Sequence, residues 1–173
     1  MKRSLSVKRE SGQTTAAAML AVLVLVVLAA GGVELARLGA LRLWAYRAAE
    51  AAAVTGTSLG RDYAAYIAGG EISLEIAAAF AAAEETLRQE LDAKGVSALA
   101  SYDIRVHADN KPGLYSGFPP VAHAGMIPGD WAPTAPGVGV YLELRITPVM
   151  YGWINGNAPI PLRVFAAASV VTP

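Results

Sequence analysis

Two patterns in this sequence have residue types and spacings that could do chemistry. Gly56-Thr57-Ser58-Leu59-Gly60 matches G-x-S-x-G, the form of a serine nucleophile elbow. That elbow needs a strand before the serine and a helix after it, so that the hydroxyl stands exposed on a strained turn. Here a long helix-forming stretch comes first, so the pattern reads as the end of a helix running into a loop. The only histidines are His107 and His123, with Asp103 or Asp109 near the first and Asp130 near the second. A metal needs ligands held in fixed geometry, and neither histidine has a partner at helical or hairpin spacing. Glu75, Glu84, Glu85 and Glu90 fall on one amphipathic stretch and read as its wet face.

Composition narrows the chemistry further. There is no cysteine, which excludes disulfides, thiol catalysis and thiolate-bound metal. The 14 basic and 14 acidic residues balance, so no broad basic surface argues for nucleic acid. No glycine-rich phosphate loop follows a strand. The expectation is a protein without catalytic residues, cofactor or metal.

The elements that would position any site begin with a membrane-type stretch. From Ala16 to Val33 no residue is charged. With Thr14 and Thr15 the run approaches the ~20 residues that cross a bilayer core. Its leucines and valines each favour insertion by roughly 0.3–0.6 kcal/mol at a helix centre. A secretory signal cut near Gly31 is the rival reading, with Ala29 and Gly31 as the small residues. Such signals carry an apolar region of only about 7–15 residues, and here helix-forming sequence continues past it. Lys2, Arg3, Lys8 and Arg9 precede the span and favour a cytoplasmic N-terminus with the C-terminal domain outside.

Residues 34 to 55 hold no proline and are mostly Ala, Leu, Arg and Glu, all good helix formers. Leu38, Leu41, Ala45, Ala48, Ala49 and Ala52 recur at helical spacing and form a narrow stripe of small residues that lets another helix or a sheet come close. Glu34 with Arg37, and Arg47 with Glu50, are i,i+3 pairs. Gly56 reads as the C-cap. The spacing predicts one helix of ~40 residues, roughly 60 Å long, half in lipid and half projecting as a stalk.

Arg9 to Gln13 before the apolar run, then Glu34, Arg37 and "YRAAEAAAVTG", resemble the N-terminal segment of TadE/TadG-like proteins, pseudopilin-type components of the tight-adherence (Tad, or Flp) pilus. The ending "YLELRITPVMYGWINGNAPIPLRVFAAASVV" is similar to the finish of short members. The resemblance implies a leader closed by Gly12, a prepilin peptidase cutting after it, and Gln13 as the first mature residue. It also implies other pilus-assembly or pseudopilin subunits as partners. The family commonly has a glutamate five residues into the mature chain; that position here is Ala17.

The remainder predicts an α+β layout. A second, amphipathic helix is expected over Ser73 to Lys94, with Ile76, Phe80, Ala83, Leu87 and Leu91 on one face, Ser73 as N-cap and Gly95 as C-cap. Three stretches then alternate with period two. Their apolar rows are Tyr102/Ile104/Val106/Ala108, Val140/Leu142/Leu144/Ile146 and Leu162/Val164/Ala166/Ala168/Val170. They predict a small antiparallel sheet of three to four strands with one covered face. "NGNAP" supplies turn chemistry before the last strand. Between lies a loop, 109–137, with six of the ten prolines. Its Tyr115, Phe118 and Trp131 would be costly to leave bare.

The expected organisation is therefore a basic leader (1–12), a transmembrane helix continuing as stalk (13–56), and an extracytoplasmic α+β domain (57–173). The expected place is the cytoplasmic (inner) membrane, single-pass, associated with a pilus. The expected role is structural, as a minor pseudopilin or assembly component. The alternative is a membrane-tethered module that recognises an envelope partner through the Pro-rich loop.

Overall fold

The computed structural model describes residues 7–96, 101–120, 129–150, 152 and 156–170, with side chains from residue 13 onward. Its elements in chain order are α1 (Val7–Leu59), α2 (Tyr63–Gly69), α3 (Ile76–Lys94), β1 (Ser101–Asp109), β2 (Gly137–Ile146) and β3 (Ile160–Ser169). The fold is α+β, as the helical and alternating patterns predict. Residues 1–6 of the expected leader, including Lys2 and Arg3, lie outside the described residues, as does His123.

No proline interrupts α1, and its 53 residues extend roughly 80 Å at 1.5 Å per residue. It is longer than expected at both ends. Gly56 is not its cap but an interior residue at a close crossing. A Cβ there would stand 2.8 Å from the Ala79 carbonyl oxygen and 2.9 Å from the Ala83 Cβ. Gly60, just past the helix, is pressed against Ala79 in the same way. Glycines at these two points let α1 and α3 touch backbone to backbone.

Residues 61–74 close on themselves. The amide of Asp62 donates to the Ser73 carbonyl at 3.0 Å, and that of Glu75 to the Gly60 carbonyl at 2.7 Å. Ser73 is thus part of this closure, and α3 starts at Ile76 after Glu75, which offers no side-chain cap. Inside the closure sits the short α2, capped by the Asp62 carboxylate accepting from the Ala65 amide at 2.9 Å. Asn110, just past β1, clamps the closure. Its side chain accepts from the Leu74 amide and donates to the Leu74 carbonyl, as a neighbouring strand would.

α3 ends at Gly95 in the left-handed conformation, as predicted. Its buried side chains are Ala79, Ala83, Leu87 and Leu91. Ile76 and Phe80, expected in that row, are exposed. The close crossing explains the exchange, because only a small residue fits at position 79 against Gly56 and Gly60.

The sheet has the order β1-β2-β3 and is antiparallel throughout. Its register places Ile104, Leu142 and Val164 side by side, and likewise Val106, Val140 and Ala166. The predicted apolar rows therefore share one face, which packs on α1 and α3. The other face is covered too. Trp131, Tyr141 and Phe165 form a second apolar cluster there, joined by Tyr115 and Phe118 from the long loop. Gly139 makes room for it, since a Cβ there would lie 2.9 Å from Phe118 and 3.2 Å from Phe165.

Candidate functional site: the apolar helix and its junction with the domain

From Gln13 onward α1 is long and apolar enough to cross a membrane, and none of the described residues buries its apolar part. Met19, Leu20, Leu23, Leu25 and Leu28 are each at least 60% exposed. Soluble domains rarely leave so continuous an apolar surface bare. The same property separates this segment from a core helix, whose leucines would be hidden.

The second half of α1 has the opposite character. Ala45, Ala48, Ala49 and Ala52 of the small-residue stripe are buried, with Ala53 beside them. Leu38 and Leu41 are partly buried against the same core. The surface they meet is the protein's own: the inner face of the sheet, and α3. Alanine is the side chain that permits this, because it lets the helix axis approach the sheet without a gap and costs no rotamer entropy. Arg47 and Glu50 stand exposed on the other side.

Between the halves is Glu34, the first charged residue after the uncharged run. It is only 4% exposed. Its carboxylate accepts the Val149 amide at 3.4 Å (Oε1) and 3.3 Å (Oε2), and the Met150 amide at 3.1 Å. Arg37 donates to Oε1 at 2.9 Å. A buried carboxylate without partners would be strongly unfavourable; here two backbone donors and a guanidinium satisfy it. The connection between β2 and β3 is thereby fastened to α1 at the level where the apolar run ends. The sequence offers Glu34 as an i,i+3 partner of Arg37 and as part of the family resemblance, not as a loop anchor. The signal for more was its position as a lone carboxylate against an apolar run, but its other partners are more than a hundred residues away.

On the outer face of the sheet a second carboxylate is similarly committed. Glu143, on the central strand, accepts Arg163 at 2.9 Å, Arg145 at 3.2 Å and the Tyr141 hydroxyl at 2.9 Å. Burial works against its charge, yet the hydrogen bonds from Arg163, Tyr141 and Arg145 outweigh it and hold the carboxyl below its ordinary range. Burial, with the bond to Glu143, pushes the Tyr141 hydroxyl up to about 12.

The G-x-S-x-G stretch does not form a strand–turn–helix elbow here. Ser58 is exposed on the last turn of α1 with no strand before it. The neighbouring Thr57 hydroxyl donates back to the Ala53 and Val54 carbonyls. His107 lies among Tyr115, Phe118 and Trp131, with ring centroids 4.4–5.8 Å away. Of the carboxylates near it in sequence, Asp103 pairs with Arg105 and Asp109 accepts the Lys111 amide; Asp130, the neighbour of His123 in sequence, accepts the Gly117 amide. Among the described residues no group of three metal-ligating side chains occurs.

Gly12 and Gln13, where the family resemblance implies a leader cut, both fall within α1. Compared with known proteins, the chain matches no family model, no curated protein and no solved structure.

Proposed function

We propose that the protein is a single-pass membrane protein with its α+β domain outside the cytoplasm, and that its role is structural: a minor pseudopilin or assembly component of a Tad-type pilus, of the TadE/TadG-like kind. The observation that carries this reading is the division of α1. One unbroken helix exposes its aliphatic half as a lipid-facing surface and uses its alanine half as the spine of the folded domain. An enzyme tether has no need to run its anchor straight into the core, whereas a subunit that must be positioned, pulled or packed through its helix does.

The leader adds a mechanism. A prepilin peptidase cutting after Gly12 would remove Lys2, Arg3, Lys8, Arg9 and Glu10 and leave Gln13 at the head of an uncharged run. Charged residues resist transfer through lipid, so their removal eases withdrawal of the helix from the bilayer. The alternative, a binding module working through the Pro-rich loop, draws less support. Tyr115, Phe118 and Trp131 are turned onto the protein's own sheet.

The test is made in the native host. Sheared filaments and membranes are separated, and the intact mass of the protein is measured in each. The reading expects a chain that begins at Gln13 and accompanies the pilus or its assembly machinery. A chain that keeps its leader and is found in membranes irrespective of pilus genes would reduce the protein to a plain membrane-anchored domain.

A further inference from the structure

We propose that the start of the β2–β3 connection, at Val149 and Met150, is a second membrane contact, seated where lipid headgroups meet acyl chains beside the exit point of α1. This rests on the reading of α1 as a membrane helix. Glu34 follows Val33, the last residue of the uncharged run, and it binds the amides of Val149 and Met150. Those two residues are therefore fixed at the depth where α1 emerges. Their side chains do not turn into the domain: Val149 is 67% exposed and Met150 39%. Val33 and Leu35 at the same level of α1 are 59% and 73% exposed, so helix and loop both present bare apolar side chains at this depth.

Charge follows the same boundary. No charged residue occurs between Arg145 and Arg163, so this connection, like the span itself, carries no charge. Arg37 and Arg42 lie roughly 6 and 13 Å further along the helix from Val33. The headgroup layer is about 5–8 Å thick on each side of a bilayer, so Arg37 falls within it and Arg42 just beyond it. A lipid surface suits this arrangement better than a protein partner. The apolar patch is an extension of the lipid-facing helix at a fixed depth, with the cations immediately above it.

The full chain has no cysteine, so single labels can be placed cleanly. Val149→Cys, Leu25→Cys and Glu71→Cys each receive an environment-sensitive fluorophore. Each protein is reconstituted into vesicles of phosphatidylcholine and phosphatidylglycerol, with or without lipids brominated near the top of their acyl chains, read for Val149 and Glu71, or far down them, read for Leu25. Unfolding curves matching the unlabelled parent establish that each variant is folded. Quenching at Val149 should exceed that at Glu71, on the distal closure, by about threefold or more, with Leu25 quenched as well. Adding Glu34→Ala should release the loop and lower the Val149 signal. Quenching at Leu25 but none at Val149 above the Glu71 level overturns the loop contact and leaves the anchor standing. A Val149 label shielded from water yet not quenched by brominated lipid means a protein contact, and also overturns it. An unquenched Leu25 removes the anchor itself, and the present inference with it.

Discussion

Residues 13–33 and 34–59 belong to one helix, built on one hydrogen-bond ladder, yet they solve opposite problems. The first half is aliphatic all round, and bulk is its asset: Leu and Val offer area to a surrounding that the protein does not supply. The second half is apolar on one stripe only, and there smallness is the asset. Ala45, Ala48, Ala49 and Ala52 bring the sheet against the helix, and Gly56 does the same for α3. Hydrophobic content alone does not tell a membrane helix from a core helix. What tells them apart is whether the apolar residues encircle the axis or line one side, and whether they are large or small.

The sharpest test of this contrast puts the same carboxylate in each half. Ala49→Glu should destabilise the domain by more than about 4 kcal/mol, since it overpacks a tight contact and buries a charge without a partner. Ala17→Glu, in the exposed half, should leave domain unfolding within about 0.5 kcal/mol of the parent. Chemical denaturation in detergent reads both. Similar losses from the two variants would mean that the halves are not distinct.

The next effect asks whether all the stability lies on the helical side of the sheet. Glu143→Gln should cost about 1–3 kcal/mol, because Arg145 and Arg163 lose a charged acceptor. The carboxyl is held below its ordinary value of 4.5 in the folded protein. Its stabilisation is therefore complete above that value and lost as pH falls through the lowered one. The parent should show this acid-limb loss, and the Gln variant should lack that share of it. Tyr141 behaves in the reverse sense. Its hydroxyl is raised from 10.0 to about 12, so its contribution holds below pH 10 and fades as pH rises through about 12.

At the seam between the halves, Glu34→Ala removes the acceptor for two amides. Hydrogen exchange at Val149 and Met150 should quicken by about tenfold or more, with little change in β2. Unchanged exchange at both amides would show that something other than Glu34 holds the loop.

The smallest effects contrast two glycines of α1. Gly39 has open space around its Cβ position, so Gly39→Ala should stabilise by about 0.5–1 kcal/mol through helix propensity. Gly56→Ala gains the same propensity but pushes α3 away, for a net loss of about 1 kcal/mol. Thermal unfolding resolves the opposite signs.

These residues also mark how far sequence reading reaches here. Period-two alternation carries the inner face of the sheet, because side chains on a strand have no third direction to choose. Helical spacing carries Ala83, Leu87 and Leu91 for the same local reason. Gly56 is ambiguous in the sequence because glycine has two uses, stopping a helix and admitting a neighbour, and only the neighbour's position decides between them. Ile76 and Phe80 fail for the same cause, since the tight crossing leaves room at Ala79 alone. α2 is seven residues held by closure hydrogen bonds, too short for periodicity to register. The aromatic loop was legible as something needing cover, but not as the cover of the sheet's second face. The role of Glu34 leaves no pattern in the sequence, because its backbone partners are distant in the chain.

The absence of a break between the two halves of α1 has a mechanical consequence. No linker separates the apolar half of α1 from the domain, so the domain has no swivel of its own. From Glu34 to Leu59 the helix acts as a lever arm of roughly 40 Å. For a helix held in a bilayer, a tilt of about 20°, ordinary for membrane spans, sweeps the far end sideways by about 13 Å. Rotation about the helix axis turns the domain by the same angle. Any force that tips or turns the apolar half would thus be delivered, amplified, to the α2 closure at the tip.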